Sequence, residues 1–398
     1  MATDIKSAAE KVLPDVIDLR RRIHQHPELG NQLPRTTAAV LASLEGLDLE
    51  MRRSTETTSL VATLKGAKPG PRILLRGDMD ALPMPEDNDL PFASEVPNRM
   101  HACGHDAHTA MLAGAAHVLH GCRDELAGTV DFFFQTGEEG YFGARVVMEE
   151  GLFEAPNEPD AAFALHITPL LKSGVFTGKP GPLLAAADFW EITVRGKGGH
   201  ASMPHDCLDP IPVACEIVQG FQHLVTSRIN AFDPVVLTTT KIEAGTTTNV
   251  IPEHATIMGT LRSTSEKSRK IAHEGIERIA RQVALAHEME AEVTMNLGYP
   301  VTVNDAGFVD FARATVHKLY GEAGWREAET PMMGAEDFSY LLNRWPGAMF
   351  FLGVRPEEKS LAAPCHSNRM ILNEQGMAHG VALHAQVALD YLAGKAAS

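Results

Sequence analysis

Short apolar runs that end abruptly in polar loops recur along the first part of the chain. PRILLRGDMDALP (Pro71 to Pro83), GTVDFFFQTGEEG (Gly128 to Gly140) and DAAFALHI (Asp160 to Ile167) each read as a buried strand running into a loop. A helical, alanine-rich stretch, Ala107 to Leu119, separates the first two. Strands alternating with helices imply a mostly parallel sheet, whose functional groups collect just beyond the carboxyl ends of its strands. Here the residues in that position are Asp78 and Asp80, Glu138 and Glu139, and His166.

From about Asp188 the rhythm changes. FWEITVRG, a helix over Pro210 to Val225, PVVLTTTKIEAG, ATIMGTLRS, a long helix over Glu266 to Glu288 and EAEVTMNL follow in the order β-α-β-β-α-β. That order predicts a ferredoxin-like α+β unit inserted into the chain. The α/β pattern then resumes with a helix near Phe308 to Tyr320, the strand GAMFFLGV, a loop holding Cys365 and His366, and an amphipathic helix over Asn373 to Leu392. The expected fold is therefore a discontinuous α/β domain (1–186 and 299–398), its mostly parallel sheet flanked by helices, interrupted by a ferredoxin-like domain (187–298). One face of the inserted sheet is left to cover something.

Composition agrees with two domains, since a chain of 398 residues, 44% of them apolar, exceeds the length at which single cores usually divide. A net charge of −16 repels phosphate backbones and anionic membranes, and the longest basic run is Arg20, Arg21 and Arg22. Nucleic acid and membrane are thus not expected partners. The start of the chain lacks the pattern of a secretory signal, and no apolar run is long enough to span a bilayer, so a cytoplasmic location is expected. Five scattered cysteines without a C-x-x-C pair indicate neither a disulfide framework nor a zinc ribbon.

The chemistry lies in what the strand ends collect. MHACGHDAH (Met100 to His108) brings Cys103, His105 and His108 to Asp78, Asp80, Glu138, Glu139, His166 and His366. Zinc, manganese or cobalt accepts this mixture of imidazole, carboxylate and thiolate, and two ions would use it fully. Neighbouring side chains diverge, so in Gly-Glu-Glu-Gly one carboxylate can ligate while the other serves as a base. Taken singly each feature is weak: a lone histidine is usually structural, a Glu-Glu pair usually solvated, and Asp78 and Asp80 can simply cap a turn. Their joint occurrence carries the reading, and His24, His26, His117, His120 and His223 stay unassigned.

The segments RGDMDALP, MHACGHDAHTAMLAGAA, FFFQTGEEG, ALHI, GKGGHASMPH, TNVIP, GAEDFSYL and CHS, preceded by RRRIHQHPELG, resemble the metal-dependent amidohydrolases. That family includes hippurate hydrolase, bacterial N-acyl-amino-acid aminoacylases and plant indole-acetyl-amino-acid hydrolases, within the dinuclear zinc-peptidase superfamily. The resemblance implies two divalent ions per subunit (Zn, Mn, Co or Ni). Cys103 would be the shared thiolate, His105, His166 and His366 imidazole ligands and Glu139 a carboxylate ligand. Glu138 would be the general base. Related two-zinc peptidases carry His-x-Asp where this chain has Asp78-Met79-Asp80. That departure leaves Asp78 doubtful as a ligand and suggests that Asp80 orients a histidine, while His108, one helical turn after His105 on the same face, is a supporting residue. The resemblance also implies that the inserted domain is a lid and dimerisation domain, from which His200 stabilises the oxyanion, with Asn249 nearby. Arg262 would pair with the substrate carboxylate.

The implied reaction is hydrolysis of an N-acyl amino acid, hippurate-like or N-acetylated, to a carboxylic acid and a free amino acid by a homodimer or higher homo-oligomer. Alternatives within the same chemistry are a dipeptidase or a deacetylase of another small N-acyl substrate. From other classes come a cysteine enzyme, with Cys103 as nucleophile and His105 or His366 as base, and a non-catalytic metal-binding homologue.

Overall fold

The computed structural model describes residues 3–396, so the outermost residues of the expected first domain, 1, 2, 397 and 398, lie outside the description. The chain divides into two compact units. One comprises the chain up to Gly181, Val303–Glu329 and the part from Tyr340 on; the other comprises Pro182–Thr302 and Thr330–Ser339.

The first unit is built on an eight-stranded sheet in the order Glu50–Arg53, Leu60–Lys65, Ala127–Gln135, Lys68–Asp78, Ala161–Thr168, Gly347–Gly353, Phe176–Gly178, Trp325–Glu327. Its four central strands, from Ala127–Gln135 to Gly347–Gly353, run parallel. Because Asp78 lies opposite Gln135 and Phe351 opposite His166, their carboxyl ends come out along one edge. Phe132, Phe133 and Phe134 are all buried, which explains why this strand reads as an unbroken apolar run: both faces are covered. Phe133 meets Phe153 edge-on at 5.0 Å on one side. Phe132 and Phe134 join a core shared with the Ile5–Gln25, His105–Gly121 and Met377–Ala396 helices on the other.

The last of these helices departs from its expected character. It is buried almost all round, not amphipathic, with Met377, Val381, Ala382, Leu383, Ala385, Val387, Ala388 and Leu392 shielded. It packs against the sheet and also against three helices, Ile5–Gln25, His105–Gly121 and Ala306–Tyr320, which leaves little room for a polar face. Alanines and Gly380 let the neighbours approach closely; a side chain at Gly380 would collide with the Met111 sulfur.

The second unit contains the Ala186–Arg195, Val235–Ala244, His254–Ser263 and Glu290–Leu297 strands and the Pro210–Arg228 and Glu266–Ala286 helices. The sheet order, second-third-first-fourth with each neighbouring pair antiparallel, is the ferredoxin-like arrangement. Alternation along His254–Ser263 is regular, with Ala255, Ile257 and Leu261 buried against the helices. Thr330–Ser339, distant in sequence, joins this unit because the amide of Ala185 donates to the carbonyls of Met332 (3.0 Å) and Gly334 (2.9 Å).

A fully buried carboxylate ties the second unit together. Asp188 receives both arms of Arg269 (2.6 and 2.8 Å), the His273 Nε2 at 2.7 Å and the Gly298 amide at 3.0 Å. Burial works against its charge, but the hydrogen bonds from Arg269 and His273 prevail and hold the carboxyl at about 2. A folded-state pKa below the unfolded value of about 3.9 means the contribution is complete above about pH 4 and fades as the pH falls through about 2. Asp188→Asn is therefore expected to cost about 3 kcal/mol at pH 7, since it removes the buried partner of Arg269 and leaves it only Glu266. In denaturant unfolding, about 2 kcal/mol of that gap should close between pH 4 and pH 2; a gap independent of pH would refute the assignment.

Candidate metal centre

The His105–Gly121 helix starts where the edge of the parallel sheet delivers its strand ends. Gly104 precedes it with φ +86°, a left-handed conformation that turns the chain sharply between Cys103 and His105. A Cβ there would also stand 2.5 Å from Ile167 Cγ1, so glycine is required by space as well as by dihedral. His366 likewise has φ +67°, an uncommon conformation for a residue with a side chain. Its amide donates to the Ala102 carbonyl at 2.7 Å, which fastens the C-terminal loop to the Cys103 turn.

Around these turns several groups of donor atoms lie within 4.8 Å of one another, among them Asp78 with His105 and His108, His105 with Glu138 and Glu139, and two groups built on one thiol, Cys103 with His105 and His166 and Cys103 with Glu139 and His366. The last two share the Cys103 sulfur. Cys103 Sγ lies 3.3 Å from His166 Nε2, and His366 Nε2 lies 3.3 Å from Glu139 Oε1. His166 Nδ1 donates to the Ile167 carbonyl at 2.6 Å, which fixes its tautomer and leaves Nε2 toward the thiol. Glu138 is buried beside Glu139, with Oε2 4.0 Å from His105 Nε2.

Several expected supporting residues have clear partners. His108 places Nδ1 2.6 Å from Asp78 and accepts the Ile167 amide on Nε2 at 2.8 Å, so both nitrogens are engaged within the protein. The other Asp78 oxygen takes Arg76 at 2.7 Å, which accounts for this carboxylate without making it a ligand. Asp80 has a task that the sequence does not reveal. Its oxygens accept the amides of Glu138 (3.0 Å) and Glu139 (2.9 Å), while His105 Nδ1 is farther away at 3.4 Å. It therefore pins the glutamate turn more directly than it orients a histidine. Asn31, absent from the sequence reading, supports the same turn from outside by accepting from Thr136 Oγ1 and donating to the Tyr141 carbonyl.

The charge balance of this pocket favours a cation. Both His105 ring nitrogens and Glu139 Oε1 are buried without a hydrogen bond of good geometry, which is uncommon for polar atoms removed from water. Burial opposes charge on His105, yet Asp78, Asp80 and Glu139 overcome it and push the ring up to about 10. Contact with Cys365, burial and the nearby glutamates push the Cys103 thiol well above its usual range. Such a thiol is a poor free nucleophile, whereas sulfur, imidazole and carboxylate together form a donor set that divalent ions accept. The residues present fit a pair of such ions.

His200, Asn249 and Arg262 belong to the second unit. His200 is exposed on the two-residue strand Gly199–His200, which pairs with Val250–Ile251, and the Ala201 amide donates to the Asn249 carbonyl at 3.1 Å. His200 and Asn249 are thus neighbours. Arg262 is half-buried with its guanidinium 5.7 Å from the Phe189 ring, and among the described residues no ion pair engages it.

Comparison with known proteins agrees with this chemistry. The model of peptidase family M20/M25/M40 matches residues 74–390. Thermostable carboxypeptidase 1 of Saccharolobus solfataricus is 36% identical, over 97% of this chain and 98% of its own length. The IAA-amino acid hydrolase ILR1-like 4 of Arabidopsis thaliana is 38% identical, over 95% of this chain and 86% of its own. Among solved structures, the Bacillus subtilis YXEP protein, described as a dinuclear metal binding peptidase of the M20 family, superposes with a TM-score of 0.83. It is 33% identical and covers 96% of this chain and 99% of its own.

The Gly104 turn gives a test that needs no substrate. Gly104→Ala should lower stability by about 1–3 kcal/mol through backbone strain and, because it separates Cys103 from His105, reduce retained divalent metal after dialysis. A variant that keeps wild-type metal content would show that the turn does not set the donor geometry.

Proposed function

The chain belongs to peptidase family M20/M25/M40, a family of metal-dependent amidohydrolases and peptidases, and on that footing we propose that it hydrolyses the amide bond of N-acyl amino acids to a carboxylic acid and a free amino acid. The observation that carries this reading is the sharing of Cys103 between two groups of donor atoms, with the buried Glu138 grouped beside His105 and Glu139. Cys103, His105, Glu139, His166 and His366 are the residues that would hold two divalent ions, of zinc, manganese, cobalt or nickel. When bound, such ions acidify water and polarise the amide carbonyl.

The chain's own groups do the rest. Glu138 takes a proton from the attacking water and passes it to the departing amine nitrogen. Asp80 keeps Glu138 in place through its backbone, and His108 with Asp78 supports the donor cluster from beneath. His200 stabilises the oxyanion, with Asn249 beside it, in a homodimer whose second unit serves as lid and contact surface. Arg262, half-buried and without an ion-pair partner among the described residues, is suited to the two-point grip that a substrate carboxylate invites.

A carboxypeptidase or dipeptidase reading shares every one of these steps, and the similarity to a carboxypeptidase favours it as the second choice. N-acyl amino acids and peptides both present an amide next to a free carboxylate. A matrix of N-acyl amino acids and dipeptides, assayed with several metals, separates the two.

Glu138→Ala should lower kcat by roughly 10²- to 10⁴-fold, the usual worth of a general acid-base group, while metal content stays unchanged. Retained turnover would overturn the assignment. Dialysis against a chelator should abolish activity, and added divalent ions should restore it. A chelator-resistant enzyme would instead point to Cys103 as a nucleophile.

A further inference from the structure

The stretch RRRIHQHPELG contributes nothing to the donor triads, yet two of its side chains are buried next to them. Arg20, only 1% exposed on the Ile5–Gln25 helix, places Nε 2.7 Å from Asp106 Oδ2 and Nη1 3.1 Å from Glu374 Oε1. His24, one turn later, places Nδ1 2.7 Å from the same Asp106 oxygen and Nε2 3.1 Å from Glu86. Each partner sits on a different part of the site. Asp106 follows His105 directly, Glu374 opens the short helix after the His366 loop, and Glu86 lies in the loop after Asp78 and Asp80. Glu86 is itself held there by the Ser94 amide and Asn88.

Attachment of the helix does not require these charges. Val16, Leu19 and Ile23 already give it an apolar face in the common core. Buried ion pairs are often replaceable by apolar residues without loss of stability, so their presence here calls for an explanation other than cohesion. The geometry supplies one, since a guanidinium fork and an imidazole reach, from one rigid helix, three segments that carry donor or supporting groups.

We propose that Arg20 and His24 are positioning residues that clamp the start of the His105 helix, the loop after Asp80 and the segment after His366 in one register, so that the donor atoms are preset for metal. This rests on the metal reading above. Without the clamp, the buried carboxylates of the metal-free site repel one another and are free to push the loops apart.

The test measures metal affinity, not turnover. Arg20→Lys keeps the charge but loses the fork. Glu374→Gln, at the edge of the cluster, weakens the ties that both Arg20 and its neighbour Arg21 make to the His366 segment, and carries the same test if Arg20→Lys does not fold. Metal-stripped full-length proteins are titrated with cobalt(II), followed by calorimetry and by thiolate-to-cobalt absorption, with thermal unfolding of the metal-free forms alongside. Cobalt affinity is expected to fall roughly 10- to 100-fold, the range for partners that orient ligands, with a changed absorption band. Wild-type affinity and spectrum in a folded variant, with only a lowered Tm, would overturn the clamp. A wild-type protein that binds no cobalt through thiolate would overturn the metal reading, and the clamp with it.

Discussion

Like charges brought together away from water set the terms for the whole first unit. Asp78 and Asp80 are fully buried, Glu138 is nearly so, and Glu139 is mostly covered, all around the His105 ring. Carboxylates cannot accumulate in a low-dielectric interior without countercharge and hydrogen bonds. Arg76 neutralises Asp78 and His108 donates a hydrogen bond to it, while backbone amides satisfy Asp80. Glu139 faces His105 and His366, and whatever cation enters meets its charge there as well.

The parallel sheet is what makes such crowding possible. Four adjacent strands ending along one edge deliver their loops into a small volume, with tight turns at Gly104 and Gly137 among them. At Gly137, with φ +70°, a side chain would run into the Asn31 amide, so the glutamate turn closes over that support only because the position is bare. Packing and electrostatics are therefore coupled: the features that bring the carboxylates together also leave Glu139 Oε1 buried without a hydrogen bond of good geometry.

Much of this was legible in the sequence because a strand buried on both faces leaves an unmistakable apolar run, and the residue that ends it is polar for a reason. Asp78, Glu138, Glu139 and His166 stand out in that way. The Leu60–Lys65 strand and the three-residue Trp325–Glu327 strand did not, being too short or too close to turn residues to show a period. The role of Asp80 was hidden because it acts on backbone amides, which every residue has. Arg20 and His24 escaped assignment because Asp106 lies more than 80 positions away along the chain. The C-terminal helix misled for the opposite reason: its His and Gln side chains suggest a wet face, but alanine and glycine let neighbours close over it.

The identity of the shared donor follows from the same electrostatic constraint. In the proposed site a carboxylate in place of Cys103 would add another negative charge to a pocket already rich in them. A thiol adds none while it keeps its proton, and its surroundings favour keeping it. Arrival of divalent ions reverses the balance, because they stabilise the thiolate and compensate the glutamates together. Metal binding at such a centre releases a proton from sulfur, and the metal-free protein folds without bearing the full charge of its loaded form. Cysteine thus lets one arrangement of loops serve both states.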